Sequence, residues 1–100
     1  MKALISQPMK GLTEQEIRTN RANVAMRLEK LGYEILDSVF DFEDIEGVTN
    51  KPLFYLAKSL QMIAADADVV YFMRGWMYAR GCKMEHEACI AYGVKTMYEG

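Results

Sequence analysis

The sequence is poor in the features that mark several large classes of protein. It contains one histidine and two cysteines, and its net charge is −2. No apolar run approaches the ~20 residues that a membrane-spanning helix requires. No basic face is obvious, whereas a protein that holds nucleic acid through phosphate contacts usually carries one. The composition therefore argues against a membrane partner and against a nucleic-acid partner.

The few cysteine and histidine residues also limit metal chemistry. Cys82 and Cys89 lie too far apart in one helical stretch for a local disulfide. His86 shares a helical face with them, but a structural zinc site needs a fourth ligand, usually from a second segment. Because no second cluster of such ligands exists, we expect no metal and no cofactor. Reduced thiols, and an N-terminal apolar stretch too short for a signal peptide, predict a cytoplasmic protein.

Short apolar runs alternate with helical patterns along the chain. Strands are predicted at residues 2–7, 33–36, 69–73 and 94–98. The first helix begins at a capping box, Thr13 to Glu16, and ends at Gly32, which suits a left-handed helix terminus. The second helix runs from about Pro52 to Ala65. The residues expected to face the core are Ile17, Val24, Leu28 and Leu31 in the first helix and Leu53, Leu56, Leu60 and Ile63 in the second.

This alternation predicts an α/β fold in a single domain, residues 1–100. Right-handed crossovers give a three-layer α/β/α flavodoxin-like (Rossmann-like) sandwich with a four-stranded parallel sheet in the order 2-1-3-4. The direction of the crossovers then changes between strands one and three. The loops at residues 6–11 and 73–81 meet there, outside the carboxyl ends of the strands. Ligands of such sheets bind at this place, so the sequence predicts a pocket between these two loops.

The predicted loop at residues 37–49 is acidic and contains no basic residue. Its acids are Asp37, Asp41, Glu43, Asp44 and Glu46. Their spacing lacks the ligand and glycine positions of a calcium loop. We therefore expect a solvated loop.

Glu85 is the leading candidate for chemistry. A loop with Gly75, Trp76 and Gly81 follows strand three, and Glu85 and Glu87 then fall in the first turn or two of a helix, beside its positive dipole end. An ionised carboxylate in a dry crevice can attack an acetal-like carbon, as retaining glycosidases do. The alternative is that Glu85 merely satisfies the helix dipole in water.

The loop after strand one could bind an anion through its backbone amides near a helix start. It matches neither the P-loop nor the dinucleotide fingerprint. Arg18 and Arg21 in the first helix suit a bound phosphate, although ordinary surface arginines would look the same. The candidate substrate-binding residues are Ser6, Gln7, Pro8, Met9, Lys10, Gly11, Arg18, Gly75, Trp76 and Gly81.

Three further side chains have two interpretations each. Trp76 could stack on a base or sugar ring, or serve as a lid residue or oligomer contact. Asp68, at the start of strand three, could bind loop amides or a sugar hydroxyl, and it is the second catalytic candidate beside Glu85. His86 could act as a general acid or base, although a surface or partner-contacting histidine is the default.

Three segments resemble the nucleoside 2-deoxyribosyltransferase-like superfamily, and within it a family of short bacterial and phage domains of unknown function. They are LISQPMKG at residues 4–11, DVVYF at 68–72 and GCKMEHEACIAYG at 81–93. In the transferases the last segment has the form Gly-x-x-x-Glu-x-Gly-x-Ala-x-Ala-x-Gly, and its glutamate is the nucleophile. That position is Glu85.

The resemblance implies a small-molecule nucleoside or nucleotide as substrate. Glu85 would attack C1′ of the sugar, and the glycosyl-enzyme ester would pass to another base or to water. Phosphate or sugar contacts would lie in the strand-one loop, and Asp68 would match an acid of strand three.

Two positions differ from the transferases. Glu87 stands where they have glycine, and Ala79 stands where they have the aspartate that assists the departing base. A non-catalytic nucleotide-binding or sensing module is therefore the alternative function, and an interaction protein with a vestigial pocket is a third. Open sheet edges and 51% apolar residues predict a homo-oligomer in each case.

Overall fold

In the part of the chain that the structure describes, four short strands alternate with three helices and one short 3₁₀ turn. The structure is a computed structural model that describes residues 1–36 and 46–100. The strands are β1 (Lys2–Ser6), β2 (Glu34–Ile35), β3 (Val69–Phe72) and β4 (Lys95–Tyr98). The helices are α1 (Glu14–Lys30), α2 (Lys51–Ala65) and α3 (Arg80–Tyr92), and the 3₁₀ turn is Trp76–Tyr78.

The sheet is parallel throughout and has the order β2-β1-β3-β4. Ala3 pairs with Val69 and Ser6 pairs with Phe72, so β1 and β3 run side by side to the same edge. The fold is a flavodoxin-like three-layer α/β/α sandwich. Both the predicted fold class and the predicted strand order are confirmed.

Side chains that alternate along β1 and β3 form two separate cores. On one face of the sheet, Ala3, Ile5, Val69, Tyr71 and Met73 pack with Val24 and Leu28 of α1. On the other face, Leu4, Val70 and Phe72 pack with Ile63 of α2 and Cys89 of α3. The central strands of a parallel sheet that is covered on both faces are mostly apolar, as residues 3–5 of β1 and all four residues of β3 are here.

Both ends of α1 form as the sequence predicts. The Thr13 hydroxyl accepts a hydrogen bond from the Glu16 amide, and the Glu16 carboxylate accepts one from the Thr13 amide. At the other end Gly32 has φ +94°, and its amide donates to the Glu29 carbonyl. The Tyr33 amide donates to the Leu28 carbonyl, which completes a Schellman motif.

Two residues expected in the core are exposed instead. Leu31 is 68% exposed because it is the C-cap of α1, beyond the buried stripe that ends at Leu28. Leu53 is 57% exposed because it lies in the first turn of α2, ahead of the buried stripe through Ser59 and Ile63.

Most of the predicted acidic loop lies outside the described residues. Of its acids, only Glu46 falls within them, and it is exposed. No helix in the described part of the chain has the length and apolar character to cross a membrane.

Candidate functional site

The crossovers of β1 and β3 leave the sheet toward opposite faces, and their loops meet at the carboxyl edge. The Met73 amide donates to the Ser6 carbonyl over 3.0 Å, which holds the two strand ends together. Gly75 has φ +87°, and a Cβ atom there would lie 3.9 Å from the Pro8 ring. The left-handed backbone conformation favours glycine here, while the loop after β1 lies within van der Waals contact.

Glu85 lies on the inward face of α3, at this edge of the sheet. The inward face of the helix carries Cys82, Glu85 and Cys89, all of them buried. Glu85 is 8% exposed, and its Oε1 accepts a hydrogen bond of 3.2 Å from the Ser6 hydroxyl. The structure therefore joins the last residue of β1 to the residue that the sequence singles out.

Burial sets the charge of this group. Loss of solvent raises the pKa of Glu85 from 4.5 to about 7, although the hydrogen bond from Ser6 opposes the shift. The helix dipole is not the main influence, contrary to the sequence-based expectation. Because α3 begins at Arg80, Glu85 lies in the second turn, beyond the free amides of the helix start.

The neighbouring thiols are not nucleophiles at neutral pH. Burial raises the pKa of both Cys82 and Cys89 to about 11, so each thiol stays protonated. Within this cluster, Glu85 is therefore the group that ionises near neutral pH.

The strand-one loop is only partly in contact with the interior. The Gln7 side chain is buried, and its Nε2 donates a hydrogen bond of 2.7 Å to the Ile17 carbonyl. Its Oε1 is also buried and has no hydrogen-bond partner in the described part of the chain. Pro8 is half-buried against Gly75. Three residues of the loop are exposed: Met9, Lys10 and Gly11.

Two predicted site residues do not join Glu85. Asp68 lies at the amino end of β3, where its carboxylate accepts a hydrogen bond of 2.7 Å from the Lys2 amide. The length of β3 separates Asp68 from the carboxyl edge by roughly 13 Å. Asp68 therefore ties the start of β1 to the start of β3. Arg18 is exposed and forms an ion pair of 2.8 Å with Glu14 on its own helix.

Gly81 also has a different place from the predicted one. It is the second residue of α3 rather than part of the loop before it. Ala79, with an extended backbone, precedes the helix and offers no side-chain cap. Glu87 is exposed on the opposite side of α3 from Glu85, so its carboxylate does not crowd Glu85.

Sequence reasoning missed an aromatic cluster next to the site. Phe72, Trp76, His86 and Tyr98 lie with neighbouring ring centroids 4.2–5.8 Å apart. His86 Nε2 and the Tyr98 hydroxyl are 2.6 Å apart. The sequence positions could have indicated this cluster, because His86 follows Glu85 and Tyr98 ends β4, the strand beside β3.

The fold and site define a flavodoxin-like α/β protein with a buried carboxylate where the crossovers diverge. The chain matches the family model described as a domain of unknown function, DUF4406, over residues 1–98, and it belongs to that family. A search of curated proteins and a search of solved structures gave no significant match.

Proposed function

We propose that this protein cleaves or transfers the N-glycosidic bond of a nucleoside or nucleotide, with Glu85 as the nucleophile. The observation that carries the proposal is the buried Glu85 carboxylate, oriented by the Ser6 hydroxyl at the carboxyl end of β1. The position of the glutamate in the nucleoside 2-deoxyribosyltransferase-like motif supports the same chemistry.

In this proposal the two carboxylate oxygens have different roles. Within the described part of the chain, the one hydrogen bond to Glu85 comes from Ser6 and ends on Oε1. Oε2 is therefore the oxygen available to attack C1′. As the C–O bond forms, the C1′–N bond breaks and its electron pair leaves with the base, which takes a proton from solvent. Water or a second base then attacks C1′ and releases Glu85.

The charge state of Glu85 fits a nucleophile that is poised near neutral pH. At a pKa of about 7, roughly half of the molecules carry the reactive anion at pH 7. The anion is poorly solvated in its crevice, which raises its reactivity toward a carbon that develops positive charge.

The test is release of free base from a panel of nucleosides, deoxynucleosides and their 5′-monophosphates, followed by chromatography. Glu85→Gln should abolish release, since the amide cannot attack C1′. Glu29→Gln, an exposed glutamate on α1, is the matched control and should retain full activity. The rate should rise with pH through about 7 and level off above it. Release that survives in Glu85→Gln would refute the proposal.

A non-catalytic nucleotide-binding module is the second candidate. It is favoured by Ala79, which places no acid at the start of α3 to assist a departing base. In that case nucleotides should raise the melting temperature of the wild type and of Glu85→Gln alike, without any turnover. Base release that depends on Glu85 would exclude this function.

A further inference from the structure

The outward face of α3, with the 3₁₀ turn before it, carries large exposed apolar side chains among charged ones. It consists of Met77, Arg80, Lys83, Met84, Glu87 and Ile90, which we call the α3 outer face. Its three large apolar side chains are 50% (Met77), 49% (Met84) and 62% (Ile90) exposed. A shallow groove of about 500 Å³ runs along its first part, and a second depression continues it past Glu87 to Ile90.

The charges on this face are separated along the helix. Arg80 and Lys83 lie toward its start, and Glu87 lies one turn beyond Lys83. None of the three forms an ion pair within residues 1–36 and 46–100. A surface with cations at one end, an anion further along and apolar residues between them is complementary to itself when a copy is turned end for end.

We infer that the α3 outer face binds the same face of a second copy of this chain, with the two α3 helices antiparallel. A two-fold axis beside Met84 and Glu87 places Lys83 of each copy opposite Glu87 of the other. Met84 and Ile90 then lose water on both sides of the axis. A residue spacing of three and four along Arg80, Met84, Glu87 and Ala91 gives a continuous seam for such helix packing.

A second copy fits this face better than a small ligand does. The exposed apolar side chains extend from Met77, ahead of α3, to Ile90 near its end. The part of this stretch within α3, from Arg80 to Ile90, covers nearly three helical turns, or roughly 15 Å. Such a surface is the length of a helix–helix contact, and its separated opposite charges match those of an antiparallel copy.

The test uses charge reversal and sedimentation equilibrium of the full chain. The wild type should dimerise, and Lys83→Glu and Glu87→Lys should each weaken the homodimer by at least about ten-fold, since like charges then face each other. A mixture of the two variants should form a heterodimer, because one variant carries acids at both positions and the other carries lysines at both. Circular dichroism of each variant checks that the monomer is folded.

Three results would overturn the inference. The wild type could remain monomeric at about 100 μM, the two single variants could dimerise as tightly as the wild type, or the mixture could fail to associate. The measurement contains no activity readout, so it stands whether or not Glu85 proves to be catalytic.

Discussion

Glu85 makes the folded state less stable than it would be with a neutral side chain at neutral pH. Its pKa in the folded protein lies above the unfolded value of 4.5, so the folded state binds the proton more tightly. Its contribution to stability is fully present below pH 4.5 and is lost as the pH rises through about 7. A shift of this size corresponds to about 3 kcal/mol. Such a cost is typical of residues retained for reactivity.

Glu85→Gln should therefore change the pH dependence of stability. The free energy of unfolding of the variant, relative to wild type, should increase by about 3 kcal/mol between pH ~4 and pH ~8, because the amide has no charge to bury. Any constant packing cost cancels in this comparison. Urea unfolding at several pH values measures this difference in the free energy of unfolding. Glu29→Gln serves as the control, and a parallel pH profile for Glu85→Gln and wild type would contradict the assignment.

The position of Glu85 could be predicted from the sequence, but its environment could not. The motif and the strand–loop–helix pattern identify the residue and the edge of the sheet. The hydrogen bond with Ser6 joins residues far apart in the sequence, and it depends on which face α3 turns toward the sheet. The separation of Asp68 from Glu85 was missed for a related reason: a residue before a strand and a residue after it lie at opposite edges of the sheet.

At the scale of elements, the sequence predicts the ends of a helix where capping residues mark them, and it does not where they are missing. α1 has a capping box at Thr13 and a left-handed glycine at Gly32, and both form. α3 begins after Ala79, which has no side-chain cap, so its start could not be read from residue types. The sequence consequently predicts Gly81 in the loop before α3, whereas it lies in the first turn of the helix.

Thr13→Ala tests the contribution of the α1 cap. It removes the acceptor for the Glu16 amide and should lower the free energy of unfolding by about 1 kcal/mol. Thr13→Ser keeps the hydroxyl and should retain most of the stability. Both are measured by urea unfolding. Equal stability of the alanine variant and wild type would show that the cap is dispensable in this fold.

At the scale of the whole molecule, the topology follows from the order of elements and the handedness of crossovers. What the order could not show is how the last strand is tied to the rest. The Glu99 amide donates to the Phe72 carbonyl over 2.9 Å. Its carboxylate accepts hydrogen bonds from the Arg74 amide, over 2.8 Å, and from the Arg27 side chain of α1, over 2.7 Å. One residue thus joins β4, the end of β3 and α1.

Glu99→Gln should weaken this connection mainly at neutral pH. The hydrogen bond from the Arg74 amide, followed by the bond from Arg27, lowers the pKa of Glu99 below 4.5. Its contribution is therefore present above pH 4.5 and is lost as the pH falls. The variant should lose about 1 kcal/mol of stability at pH ~7, and this loss should shrink as the pH falls below 4.5. Equal losses in thermal unfolding above and below pH 4.5 would indicate a packing effect instead.

The half-protonated Glu85 also makes ligand binding a proton-exchange reaction. At neutral pH, about half of the molecules hold a proton on this carboxyl group. A ligand that requires the anion must expel that proton to solvent, and one that requires the acid must take up a proton. The measured heat of binding will then change with the ionisation enthalpy of the buffer. The direction of that change shows whether binding releases or takes up a proton. Release indicates that the ligand selects the anion, as a nucleophile requires, and uptake indicates that it selects the acid.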